Sequence, residues 1–154
     1  MKVSIFENPA VTEDHAEIHC QSATDEILWS AGLLENTGKR LMGIQEGAET
    51  PLSFSDIFYL VAVEKRTFAC MQKEVHEVFL TVKEAEERFG SLGLVRISKS
   101  VVVNLYRVRS IKNDFEMRTL ICLDNQENLV ISRHYRTAFR ERLAAAVSGK
   151  EARS

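Results

Sequence analysis

Eight cations set the chemical question. Arg96, Lys99, Arg107, Arg109 and Lys112 lie on or just beyond an apolar, β-branched run, Val101-Val102-Val103. Arg133, Arg136 and Arg140 recur at i, i+3 and i+7, which on a helix places them on one stripe. Lysine and arginine in such number suit an anionic partner, and arginine can grip phosphate or a guanine edge with two parallel hydrogen bonds. Ser132 precedes the second group, and the free N–H groups of a helix's first turn favour phosphate. A cation at Arg133 would sit at the positive end of that helix, an unfavourable place unless something anionic arrives. Both groups also fit an ordinary reading, as the solvated faces of a strand and a helix.

The net charge of −2 hides an asymmetry: residues 1–95 carry a balance of −8 and residues 96–154 a balance of +6. That split fits a phosphate-binding half, and equally an acidic half docked on a basic one. No apolar run approaches the roughly 20 residues of a membrane span, and the N-terminus lacks the apolar length of a signal peptide. A cytoplasmic protein, not inserted in a membrane, is the expectation. Cys20, Cys70 and Cys122 are odd in number and widely spaced. They read as reduced thiols buried in or beside strands. His15, Glu17 and His19 have a spacing that invites metal, but lie in a loop-and-strand context with no further ligands, so surface residues fit better. His76 and His134 have no visible nucleophile partner. No glycine-rich phosphate loop occurs. The chain therefore offers no catalytic set, and neither a cofactor nor a metal is expected.

The elements that must position these cations can be read in order. Glu17–Gln21 predicts a short strand, Asp25 to about Asn36 an amphipathic helix stopped by Gly38, and Lys39–Gln45 a second strand. This β-α-β unit, residues 1–50, is too small to be stable alone and should pack on the remainder or on another copy. Pro51 marks the boundary. Phe54–Val63, Phe68–Gln72 and Val75–Leu80 predict a three-stranded meander with a polar turn at Glu64–Thr67. Thr81 caps a helix over Val82–Phe89 with Glu84 three residues on, Gly90 ends it, and Gly93 permits the bend into the Val95 strand. Met117–Leu123 and Leu129–Ile131 predict a hairpin. Ser132 then caps a C-terminal helix whose apolar face is Tyr135, Phe139, Leu143, Ala146 and Val147. Residues 51–148 form the second unit and 149–154 a frayed tail. The fold class is α+β, mainly antiparallel β.

Two separated motifs, Arg96-Ile-Ser-Lys-Ser-Val-Val-Val-Asn104 and Leu129-Val-Ile-Ser-Arg133, followed by a terminal amphipathic helix, resemble the LytTR family of bacterial DNA-binding domains. The Asp56–Leu60 strand and the 82–89 helix match in order, so the likeness covers about residues 51–146. Ser98-Lys99 departs from the His-Arg found in many members. The resemblance implies stacked small antiparallel sheets with flanking helices, and double-stranded DNA contacted by loops and strand ends. It implies three contact regions: Lys65 and Arg66 after the first strand, Lys99 with Ser100 and Arg96 at the polar step, and Arg133 at the last helix. Lys99 and Arg133 would reach base edges, while Lys65, Arg66, Arg136 and Arg140 would position phosphates. It further implies a regulator of transcription bound to direct repeats as a homodimer. Fifty residues are too few for the receiver domain that many members carry, so the chain resembles short stand-alone members, often restrained by a small membrane protein. Residues 1–50 would then serve dimerisation or inhibitor docking. The alternative is an interaction module whose basic face binds an acidic protein and not DNA.

Overall fold

Three consecutive valines make sense once both faces of their strand are covered. The computed structural model describes residues 1–36 and 40–148. In chain order it contains α1 (Asp25–Asn36), β1 (Arg40–Gln45), β2 (Ala48–Ser53), β3 (Tyr59–Val63), β4 (Arg66–Cys70), β5 (Val75–Val78), α2 (Val82–Phe89), β6 (Leu94–Arg96), β7 (Val101–Asn104), β8 (Val108–Asn113), β9 (Thr119–Leu123), β10 (Asn128–Ile131) and α3 (Arg136–Ser148). A seven-stranded antiparallel sheet runs β2-β1-β5-β4-β3-β7-β6, and a three-stranded sheet runs β10-β9-β8. Successive side chains on a strand point to opposite faces. Leu94 and Val102 accordingly join one apolar cluster with Leu60, Val78 and Ala85. Val95 and Val103 join a second, with Ile121, Ile131 and Phe139. β6 and β7 are thus the partition between two cores, one under α2 and one under α3 and the small sheet.

The connection before β3 is held from the far side of the sequence. Asn104 is buried, and its amide donates to the carbonyls of Phe54 (3.0 Å) and Ile57 (2.8 Å) while its Oδ1 accepts from the N–H of Tyr106 (3.0 Å). Arg107 donates through Nε to the carbonyl of Ser55 at 2.8 Å. With these carbonyls occupied, residues 54–56 form a single 3-10 turn, and the strand expected from Phe54 starts only at Tyr59. The Thr81 cap is present, its hydroxyl accepting from Glu84 N at 3.0 Å. Gly93 adopts φ +104, and a Cβ there would lie 2.8 Å from the Tyr106 ring. Both the backbone and the space require glycine.

The N-terminal expectations need correction. Glu17–Gln21 is not a strand. The hydrogen bonds of residues 1–23 close within residues 1–24, as with Val11 N to Asn8 O (3.0 Å), and nearly all of these residues are exposed. A strand needs a neighbour to take its N–H and C=O groups, and among the described residues no strand pairs with the segment. Cys20 is therefore exposed, not buried; Cys70 is buried, and burial pushes its thiol above the ordinary value. The β-α-β reading is thus reduced to α1 followed by the β1–β2 hairpin, which joins the large sheet through Gly43 opposite Val78. Pro51 lies inside β2, not between units. It sits on the sheet's outer strand, where its missing N–H breaks no ladder. Gly38, the expected helix stop, and the 149–154 tail lie outside the described residues.

Candidate nucleic-acid interface

Three connections meet at one end of the molecule. β3 and β4 are joined by a two-residue turn, Glu64-Lys65, with both residues at positive φ (50 and 69). That turn continues strand twist, and it ends the expected four-residue turn early, so Arg66 already belongs to β4. β7 pairs with β3 with Val101 opposite Val61, and Ala62 N donates to Ser100 O at 2.8 Å. The β6–β7 loop, residues 97–100, is therefore beside the β3–β4 turn. Ser132 N donates to Ile97 O at 2.8 Å, which seats the entrance of α3 against the same loop. Residues 35 apart in sequence become neighbours through that one bond.

Lys99 and Arg133 are exposed on these two adjoining connections. Arg96 does different work. Its Nε donates to Ser98 O (2.8 Å) and a terminal nitrogen to Lys99 O (2.6 Å), while the guanidinium lies 5.8 Å from the Tyr135 ring centroid. Ser98 Oγ accepts from Ser100 N at 3.2 Å. The loop bearing Lys99 is thus closed from within, and Arg96 shapes it from behind.

The remaining candidates divide. Lys65 is exposed at its turn. Arg66 crosses to Glu77 on β5, with Nε 3.0 Å from Oε1, and its guanidinium lies over Phe68 at 5.3 Å. Hydrogen bonding to Arg66 holds the Glu77 carboxyl below the usual range, and Glu77 raises Arg66 in turn. Arg140 is exposed on α3, whereas Arg136 turns toward the β8–β9 loop, 3.4 Å from Met117 O, with a buried Nε that has no hydrogen-bond partner among the described residues. The expected i, i+3, i+7 stripe is therefore uneven, because α3 begins only at Arg136 and Arg133 lies in the preceding 3-10 turn. Ser132 precedes that turn but makes no side-chain capping bond. Arg107 is half-buried, bonded to Ser55 O and 3.6 Å from Asp124.

One feature escaped the sequence reading. β8 and β9 meet at Asp114–Arg118, at the end where Ile131 pairs with Thr119, so this loop borders the α3 entrance. Its tip carries Phe115, fully exposed, and Met117 at φ +61. Asp114 braces it, accepting from Glu116 N (3.0 Å), Arg118 N (2.9 Å) and Arg118 Nε (2.7 Å). An aromatic between Asp and Glu where two strands turn was the available signal.

Comparison with known proteins agrees with this geometry. Uncharacterized HTH-type transcriptional regulators of Staphylococcus aureus strains MSSA476 and MW2 are each 23% identical over 146 residues, 94% of this chain and 99% of theirs. In this chain no two α-helices follow one another directly among the described residues. The solved LytTr DNA-binding domain of a methyl-accepting/DNA response regulator from Bacillus cereus superposes with a TM-score of 0.63 at 25% identity, covering 69% of this chain and 98% of that one. The family model of the LytTr DNA-binding domain matches residues 49–144, the span holding all three connections and every buried residue of the two cores but Ala146, and the chain belongs to that family.

Proposed function

We propose that this protein regulates transcription by binding double-stranded DNA in a sequence-specific way, through the β3–β4 turn, the 97–100 loop and the entrance to α3. The observation that carries the reading is the Ser132 N–Ile97 O bond, which sets exposed Lys99 beside exposed Arg133. Neither cation has a carboxylate partner among the described residues, whereas Arg66, Arg107 and Arg118 do. In this reading Lys99 and Arg133 face base edges, Lys65 and Arg140 lie against phosphates, and Arg96 and Ser100 hold the loop that presents Lys99. Arg66 and Arg136 approach phosphates only by giving up part of their internal bonding. Two protomers on direct repeats, a cytoplasmic location and restraint by a small membrane protein complete the proposal.

Fluorescence anisotropy tests it, with the upstream region of the protein's own gene and a scrambled duplex at two salt concentrations. Arg133→Ala should cost about 1–3 kcal/mol on the specific duplex and little on the scrambled one. Lys65→Ala should weaken both alike and flatten the salt dependence by about one counterion. Equal losses from Arg133→Ala on both duplexes would remove its base-reading role. If selection from random duplexes also yields no preferred sequence, the basic surface serves an acidic protein instead.

A further inference from the structure

Residues 1–24 form an arm without a seat. Val3, Ile5 and Phe6 are 78%, 87% and 90% exposed, an arrangement that water disfavours. Val3 and Ile5, two apart and β-branched, would share one side of an extended strand over Lys2–Glu7. The arm carries four carboxylates, Glu7, Glu13, Asp14 and Glu17, against a single lysine, Lys2.

The fold has a complementary edge. β8 is the outer strand of the small sheet, six residues long like the arm's apolar segment, and leaves one side of its backbone ladder open. Arg109 and Lys112 are exposed on it. Beside it opens a groove of about 380 Å³ lined by Asp25, Glu26 and Trp29 of α1, Val108 and Arg109 of β8, and Leu143 and Val147 of α3. The other outer strands fit less well. β2 is interrupted by Pro51, β6 has three residues and β10 four.

Asn8–Thr24 separate the apolar segment from α1, and an extended chain advances about 3.3 Å per residue. The arm's failure to dock within its own chain is therefore not for want of reach. We propose that Lys2–Glu7 of one protomer adds as a fourth strand to the β8 edge of a second copy, with Val3 and Ile5 directed toward the Trp29 groove and the arm's carboxylates toward Arg109 and Lys112. Reciprocal exchange of arms gives a closed two-fold dimer.

The test uses the full chain without DNA, so it stands apart from the regulator reading. By sedimentation velocity the protein should be dimeric at micromolar concentration. Val3→Asp/Ile5→Asp should raise the dimer dissociation constant at least tenfold, with an unchanged circular dichroism spectrum because neither side chain touches the fold. Arg109→Glu/Lys112→Glu should act in the same direction. A chain carrying Ile5→Cys mixed with one carrying Ser110→Cys, both with Cys20→Ser and with Cys122→Ser because Cys122 lies opposite Ser110, should form a disulfide between chains on mild oxidation. A monomeric wild type, a dimer indifferent to Val3→Asp/Ile5→Asp, or a disulfide formed only when both cysteines are on one chain would each overturn the proposal.

Discussion

At the scale of single residues, the same side-chain type does opposite jobs within a few positions. Arg96 and Arg107 bind carbonyl oxygens of their own chain, whereas Arg133 is turned outward. Sequence showed the cations and their approximate elements, but charge says nothing of direction. The internal roles of Arg96 and Arg107 depend on carbonyls exposed by a loop and a 3-10 turn that no periodicity announces. Asn104 was legible only as part of a motif; its work emerges from the two carbonyls it satisfies. Asn104→Ala should take the donor from the Ile57 carbonyl and the Oδ1 acceptor from the Tyr106 N–H, at about 1–3 kcal/mol each, while the Phe54 carbonyl keeps the bond from Ile57 N at 3.2 Å. The expected loss is about 2–5 kcal/mol in urea unfolding, and a loss below 1 kcal/mol would mean that residues 54–57 rearrange freely. Asp114 makes a second case. Hydrogen bonds from Arg118, then from backbone N–H groups, hold its carboxyl below the usual range. Its stabilising contribution is complete above the unfolded value of about 4 and fades as pH falls through the lower folded value. A carboxyl-carbon NMR titration should place the Asp114 midpoint below that of a model peptide, and Arg118→Ala should move it upward.

At the scale of elements, what could be read were the segments whose pattern and partners agreed. The 82–89 helix has its cap and apolar face in adjacent residues, and β9 alternates cleanly between buried and half-buried residues. Glu17–Gln21 failed for the opposite reason: it has strand-forming residues but no strand beside it. The β3–β4 turn was placed in the right region but made too long, because Glu64-Lys65 contains no glycine to mark two left-handed positions. Such a conformation costs a non-glycine residue about 1–2 kcal/mol. In the proposed function Lys65 lies against phosphate, and strain retained there accords with that role. Lys65→Gly should therefore raise the stability of the fold by up to about 1 kcal/mol while weakening DNA binding on every duplex. A variant that is stabilised with unchanged affinity would separate Lys65 from the DNA.

At the scale of the molecule, the charge asymmetry survives folding. Arg66 pairs with Glu77, Arg107 with Asp124 and Arg118 with Asp114, each within its own half of the sequence. These pairs do not join the acidic half to the basic one, and Lys99, Arg133 and Arg140 are exposed with no carboxylate partner among the described residues. The two-core plan was not legible, since a run of valines reads only as buried; that it divides two cores depends on the small sheet folding back over β6 and β7. The buried amide of Asn104 also sets a timetable. It closes on Phe54, 50 residues earlier. At synthesis rates of about 5–20 residues per second, the ribosome takes roughly 3–10 s to travel between them. Through that interval β3 and β4 can pair as a hairpin, but the turn before them lacks its clamp and the apolar faces that β6 and β7 will cover stay open to other chains. The nascent protein is thus most vulnerable to aggregation before its valine strand emerges, and the seam between the 97–100 loop and the α3 entrance is completed last, when Ser132 reaches Ile97.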